Sequence, residues 1–202
     1  MSTVGQVRLI QTETSLMLLQ QVLREHLRVL TNPTDRLRLN HLPGFGPTDP
    51  QQIRACADYL RMVGLVEAFT DSVYQSLVES AASASSEVVT RALDEHLVAS
   101  SLSWRNRREA FQHIHGILLP RSPRWKDLEG GVLVVRNAIA HGLGELTRKQ
   151  RRKTDIYQRL RQINVRLIDG QVRLEEDSLR VCAEISRSYI EWLDAQSRSV
   201  VA

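Results

Sequence analysis

Apolar residues recur every three or four positions over most of the chain, which is the period of an amphipathic α-helix. This spacing predicts helices over Thr12 to Thr31, Gln51 to about Ser83, Trp125 to near His141, and Glu175 to Ser197. Two further helices are predicted between Glu87 and Leu119, with a break near Ser100 to Ser103. The pattern therefore predicts a mostly α-helical bundle.

Two stretches depart from the helical period. Asn32 to Pro50 is rich in proline and glycine, so we expect a long loop, and Asp49 near its end suits the N-cap of the next helix. Val165 to Leu174 alternates around Asp169-Gly170, a strong signal for a two-residue β-hairpin turn. One short β-hairpin is thus predicted directly before the C-terminal helix.

The helix predicted from Trp125 carries an apolar face that ends in polar residues. Its core positions are predicted to be Leu128, Val132, Val135 and Ile139. Gly142 and Gly144 follow, and both suit a left-handed helix cap and a turn. The helix is therefore expected to end at or near His141.

Arg136, Asn137 and His141 interrupt the apolar run just before that end. Asn137 and His141 share a helix face, whereas Arg136 lies about 100° from Asn137 and about 140° from His141 around the helix axis. A regular helix does not easily aim Arg136 and His141 at one atom. We expect either a distorted helix end or pooling of groups from two chains across a dimer axis.

The segment Arg-Asn-Ala-Ile-Ala-His at 136–141 resembles the Arg-x4-6-His signature of HEPN-domain ribonucleases, and its flanks Gly-Gly-Val-Leu-Val-Val and Gly-Leu-Gly are also similar. The resemblance implies a HEPN-like helical bundle, a homodimer, and metal-independent endoribonuclease activity of the kind found in bacterial toxin-antitoxin and antiviral defence systems. It implies RNA as substrate, no cofactor, and a cognate antitoxin or activator as a further partner. Glu67 resembles the glutamate that some HEPN families place near the arginine and histidine; its alternative is an ion pair with Arg61 or another cation.

The chemistry of these residue types agrees with that implication. Metal-independent RNA cleavage needs proton transfer at the ribose 2′-hydroxyl or the leaving 5′-oxygen, and a histidine such as His141 can perform either. The guanidinium of Arg136 can donate two hydrogen bonds to one phosphate, and Asn137 can hold a phosphate or orient the histidine.

Other interpretations of the same residues stay open. His141 fits a polar helix end favoured by the helix dipole, and Arg136 fits a surface ion pair with Asp127 or Glu129. For the whole protein, the alternatives are a non-catalytic HEPN-like RNA-binding module and a dimerisation or antitoxin-binding subunit.

The most basic part of the chain follows this motif. Between Arg148 and Arg166 there are eight Lys or Arg residues against one acid, a local excess of +7 that exceeds the net charge of +4 of the whole chain. Predicted contacts to the RNA backbone are Arg148, Lys149, Arg151, Arg152 and Lys153. A solvated surface is the alternative. Arg105, Arg107 and Arg108 are predicted to line a second basic edge.

Composition indicates an ordinary globular protein, with 42% hydrophobic and 25% charged residues among 202. We expect residues 1–202 to form a single domain in the cytoplasm, with no membrane span and with Cys56 and Cys182 as buried thiols. No metal site is expected, because His113 and His115 point to different helix faces. His26 is assigned to a solvated face.

Overall fold

The computed structural model describes residues 3–30, 49–82 and 97–201. The longer helices are α1 (Thr3–Leu30), α2 (Pro50–Ala82) and α3 (Trp104–His115). A 3-10 turn (Leu119–Arg121) precedes α4 (Trp125–Asp127), a π-helical turn (Leu128–Val132) and α5 (Leu133–Gly142). The chain continues through α6 (Arg148–Arg151), α7 (Ile156–Gln162), β1 (Arg166–Ile168), β2 (Gln171–Arg173) and α8 (Glu176–Val201).

The predicted fold class is confirmed: the described part is mostly α-helical, with one short β-hairpin directly before the C-terminal helix. Helix α1 begins nine residues before the predicted start at Thr12. Asp49 caps α2 as predicted, because its carboxylate accepts the amide of Gln51 at 3.0 Å. Of the predicted 32–50 loop, residues 32–48 lie outside the described part.

Backbone contacts divide the chain into two compact units. Unit 1 comprises the described residues within 1–16, 66–123 and 188–202, and unit 2 those within 17–65 and 124–187. Fully buried apolar side chains of unit 1 include Val66, Phe69, Val73, Leu77, Phe111, Leu119, Tyr189 and Leu193. Those of unit 2 include Leu19, Val22, Tyr59, Met62, Val132, Val135, Leu160, Val165, Leu179 and Ile185. Buried apolar side chains thus occur in both units.

Unit 1 buries an arginine that the sequence places on a basic edge. Arg107 is 7% exposed, and its Nε and Nη2 atoms each lie 2.7 Å from an oxygen of Asp71. Its guanidinium also stacks 5.4 Å from the ring centroid of Trp104. The prediction that Arg107 lines an exposed basic edge was therefore wrong. Its partner Asp71 lies on α2, far away in sequence, so the local pattern does not reveal the pair. Burial opposes the charge, but the hydrogen bonds and charge of Asp71 outweigh it and raise the pKa of Arg107.

Unit 2 fixes the hairpin to the segment that leaves α5. Asp169 and Gly170 form the two-residue turn with φ values of 52° and 80°, as their sequence predicts. On the other edge of β2, the amide of Val172 donates to the carbonyl of Gly144 at 2.8 Å, and Glu145 pairs with Gln171. The hairpin is therefore hydrogen-bonded to the residues that follow His141.

Two glycines in the π-helical turn, Gly130 and Gly131, lie close to side chains from the region of α7. A Cβ atom at Gly130 would lie 2.1 Å from Nη1 of Arg159, and one at Gly131 would lie 3.1 Å from Cδ1 of Ile163. Both glycines are buried, so the absence of side chains allows α7 and the residue after it to approach this turn closely. Leu128, Val132 and Val135 are buried, which confirms these predicted core positions, whereas Ile139 is half-buried.

His26 is buried, so its assignment to a solvated face was wrong. The side chain is 4% exposed, and Nδ1 lies 2.8 Å from Oδ2 of Asp58, a residue 32 positions away that the local pattern does not reveal. Cys56 and Cys182 are buried free thiols, as predicted, and burial raises their pKa values to about 11 and about 12. None of the described helices is long and apolar enough to cross a membrane.

Candidate active site

The motif lies at the C-terminal end of α5. The helix ends at Gly142, close to the predicted position, and the carbonyl of Ala138 accepts the amides of both Leu143 and Gly144. The left-handed residue after the helix is Leu143, with φ 51°, and Gly144 follows with φ 94°. Gly142 itself stays helical, so the left-handed cap falls on a leucine whose side chain is exposed to solvent.

Arg136 and His141 meet within one chain. Nη1 of Arg136 lies 3.4 Å from Nε2 of His141 and donates to Oδ1 of Asn137 at 3.1 Å. The three side chains thus form a cluster, in which Asn137 and His141 are exposed and Arg136 is half-buried. The helical angles led us to expect that a regular helix does not easily aim Arg136 and His141 at one atom, yet the two side chains contact each other within α5. A guanidinium at the end of a long, flexible side chain can reach around the helix.

The donor pattern of this cluster gives Nε2 of His141 a role. Every guanidinium nitrogen of Arg136 is a donor, so a hydrogen bond in this contact uses Nε2 as its acceptor. At 3.4 Å this contact is at the long limit of hydrogen bonding, so it is weak and readily exchanged for another acceptor.

Asp127 and Glu129, the carboxylates suggested as alternative partners of Arg136, each accept a hydrogen bond from a neighbouring side chain. Asp127 accepts from Nε of Arg124 at 2.8 Å, and Glu129 accepts from the indole of Trp125 at 3.1 Å. Arg124 also lies 3.4 Å from Glu184 on α8. These contacts stabilise α4 and the π-helical turn, which lead into α5.

Glu67 lies in unit 1, whereas Arg136, Asn137 and His141 lie in unit 2. Its carboxylate accepts the indole N–H of Trp104 at 3.0 Å and contributes to the electrostatic environment of Arg107. The catalytic role of Glu67 stays a prediction. Arg61, the cation suggested as its alternative partner, instead lies 3.6 Å from Glu25.

The predicted RNA contacts form a compact basic turn, which comprises Arg148, Lys149, Arg151, Arg152 and Lys153 in α6 and the two residues after it. All five side chains are exposed. Their cationic groups are therefore presented to solvent from one short stretch of backbone.

One buried glutamine anchors this basic turn to α5. Gln150 is 9% exposed, and its amide donates to the carbonyl of Val134 in α5 at 3.1 Å. Gln150 also forms a capping box with Thr147, with contacts of 2.7 and 3.3 Å. The Thr-x-x-Gln spacing is a recognisable signal for such a cap. Gln150 therefore anchors the basic turn to α5 at Val134, about 10 Å from His141 along the helix axis, at a rise of about 1.5 Å per residue.

The one acid of the basic tract is bound by an arginine outside the basic turn. Asp155, the one acid in the tract, is hydrogen-bonded by Arg159 at 2.6 Å, and this bond lowers the pKa of Asp155. Lys153 adds to that lowering through its charge. Within the described ranges, no acidic partner is found for Arg148, Lys149, Arg151 or Arg152.

The described residues contain no group of three His, Cys, Asp or Glu side chains that could hold a metal ion. Comparisons of the chain with models of protein families, with curated proteins and with solved structures found no match. Arguments about function therefore rest on the side chains described above.

Proposed function

We propose that the protein is a metal-independent endoribonuclease of the HEPN type, acting as a homodimer in a bacterial defence or toxin-antitoxin system. The observation that carries the proposal is the contact between Arg136 and Nε2 of His141, which combines a phosphate-binding cation with a proton acceptor in one exposed cluster. The resemblance of residues 136–141 to the Arg-x4-6-His signature supports the same assignment.

In this proposal, Nε2 of His141 accepts the proton of a ribose 2′-hydroxyl. The 2′-oxygen forms a bond to the adjacent phosphorus, and the bond from phosphorus to the 5′-oxygen breaks. Arg136 exchanges its weak contact with His141 for two hydrogen bonds to the phosphoryl oxygens, whose charge grows in the transition state. Asn137 holds Arg136 toward the phosphate. The second copy of His141 in the dimer acts in its protonated form and donates its proton to the leaving 5′-oxygen, so that one histidine gains the proton that the other loses.

The basic turn supplies affinity in the same proposal. Four of its cations have no acidic partner among the described residues, so they are available for phosphates and for the release of counterions. Gln150 ties this turn to α5. RNA bound along the turn is therefore held near the helix that carries His141.

The test is cleavage of end-labelled single-stranded RNA in EDTA by wild type, His141→Ala and Arg136→Ala. We expect cleavage by wild type with 2′,3′-cyclic phosphate ends, a loss of about 10²- to 10⁴-fold for His141→Ala, and a loss of about 10²- to 10³-fold for Arg136→Ala. The matched control is His113→Ala, which removes an exposed histidine of α3 and should cut like wild type.

Two other results would contradict this proposal. Salt-dependent binding of RNA without cutting by any of these proteins would favour a non-catalytic RNA-binding module, which the exposed basic turn also fits. Equal cutting by all four would place the chemistry outside residues 136–141. A cognate antitoxin or activator is a further expected partner, and purification of the tagged protein from its native cells would reveal it.

A further inference from the structure

Unit 2 contains a groove between α7 and the hairpin that the proposed chemistry does not use. It has a volume of about 230 Å³ and is lined by Tyr157, Leu160, Arg161, Val165, Arg166 and Leu167. Leu160 and Val165 are each 1% exposed and form an apolar floor, whereas the ring of Tyr157 is 57% exposed at the rim. Exposed aromatic side chains are the platforms on which unstacked nucleobases stack, and Tyr157 is such a side chain beside an apolar surface.

The charges at the rim complement a nucleic acid strand. Arg161 lies one helical turn after Tyr157, its side chain is exposed, and no acidic partner for it is found in the part of the chain that the structure describes. Arg166 lies on β1 at the same groove but is paired with Glu175 at 2.8 Å. Arg161 is therefore the cation of the groove that can take a phosphate without breaking an ion pair.

An adjoining depression of about 350 Å³ shares Arg161 and Arg166 and is lined also by Asn164, Glu175 and Asp177. Two carboxylates there disfavour a second phosphate. The strand should therefore leave the groove on the side of Tyr157, toward the start of α7 and the basic turn before it. Asn164 can form hydrogen bonds with the edge of a base that reaches past Arg161.

We propose that this groove binds one unpaired nucleotide of single-stranded RNA, with the base stacked on Tyr157 and the phosphate held by Arg161. The inference rests on the proposed function for its ligand class. It adds a binding subsite that is separate from His141. It also predicts that the protein prefers single-stranded over double-stranded RNA, because a paired base cannot enter the groove.

The test uses a fluorescein-labelled single-stranded RNA and the His141→Ala protein, so that binding is measured without cleavage. We expect Tyr157→Ala to raise the Kd by about 5- to 150-fold, which is the range for loss of one base–aromatic stack. Tyr157→Phe should bind like the parent protein because it keeps the ring. Arg161→Gln should reduce the slope of log K against log salt by about 0.7, as for one lost phosphate contact on a single strand.

The matched charge control is Arg180→Gln, which removes an exposed arginine paired with Glu176 on α8 and should leave the slope unchanged. A direct readout uses the parent His141→Ala protein, which retains Tyr157, with RNA that contains 5-iodouridine. Ultraviolet crosslinking followed by mass spectrometry should place the crosslink on Tyr157, independently of how any variant folds.

Equal Kd values for Tyr157→Ala and the parent, or crosslinks confined to other residues, would overturn the groove assignment while wild-type cleavage still supported the proposed function. A change in the sedimentation of Tyr157→Ala alone, with unchanged RNA affinity, would assign the groove to contact between chains and would also overturn it. Cleavage that fails while Tyr157-dependent binding persists would leave the groove standing and reject the nuclease.

Discussion

Arg107 and Arg136 show two different uses of the same side chain. Arg107 is buried in unit 1, forms two 2.7 Å hydrogen bonds to Asp71 and stacks on Trp104. Arg136 is half-buried at a helix end in unit 2, and its contacts with Asn137 and His141 have lengths of 3.1 and 3.4 Å. In the first arginine, one edge of the guanidinium, formed by Nε and Nη2, donates to both oxygens of one carboxylate. The second touches polar groups of its own helix through longer contacts.

This difference separates an arginine that holds the fold from one that is suited to a ligand. A phosphate that approached Arg107 would have to displace a bidentate carboxylate, which is a strong competitor. At Arg136 the contact to the imidazole nitrogen of His141 is long and weak, so it is readily exchanged for a phosphate oxygen. Residue type alone does not distinguish the two, because both arginines lie within helices.

The largest effect on stability is expected from Arg107→Ala. It leaves Asp71 without its partner, and we expect the free energy of unfolding to fall by about 2–3 kcal/mol, below the range for a fully buried pair because the Asp71 side chain is 36% exposed. Arg136→Ala is the matched control and should change it by about 0.5 kcal/mol or less. Urea unfolding of both variants measures this, and equal losses would remove the contrast between the two arginines.

A smaller effect on stability is expected from Glu67→Gln. Replacing the carboxylate weakens the hydrogen bond from Trp104 and removes a charge near Arg107, which should cost about 1 kcal/mol of unfolding free energy. If Glu67 acts only in the fold, RNA cleavage at a temperature where the variant is folded stays at the wild-type rate. A loss of cleavage similar to that of His141→Ala, with unchanged stability, would instead establish the catalytic role implied by the resemblance.

The smallest effect is expected from the basic turn. The double variant Arg148→Gln with Lys149→Gln should bind single-stranded RNA only a few-fold more weakly, with a salt slope reduced by about 1.4. Arg105→Gln with Arg180→Gln removes two cations that are each paired with an acid one turn away and should leave the slope unchanged. Filter binding at several salt concentrations measures both. If the two double variants gave identical salt slopes, the basic turn would be a solvated surface that does not contact RNA.

Protection of Cys56 and Cys182 provides a common folding check for the variants in unit 2. Both thiols are buried with raised pKa values, so they should react with a thiol reagent only after unfolding.

The periodic parts of the fold were predictable because their signals are local. Apolar spacing located the helices, and Asp169-Gly170 located the hairpin, where both residues take positive φ angles. What the sequence did not reveal depends on distant partners. Asp58 lies opposite His26, and Asp71 lies opposite Arg107, so the local pattern placed both basic residues wrongly at the surface.

For the candidate site, the sequence offered residues but little geometry. Residue type pointed to Arg136, Asn137 and His141, and helical angles alone indicated that a regular helix does not easily aim Arg136 and His141 at one atom. Those angles describe Cβ directions and omit the reach of an arginine side chain. The anchor supplied by Gln150 was missed because its partner is a backbone carbonyl, which has no signature in a sequence.

The hydrogen bonds around residues 142–145 determine what can move at the helix end. Amides of Leu143 and Gly144 are held by Ala138, the amide of Glu145 by Gly142, and the carbonyl of Gly144 by Val172. Displacing this backbone requires several bonds to open together, a local unfolding event on the microsecond timescale or slower. Rotation of the exposed end of a side chain takes picoseconds to nanoseconds. Access to Nε2 of His141 should therefore depend on the rapid turning of Arg136, with no slow loop opening between encounter and binding.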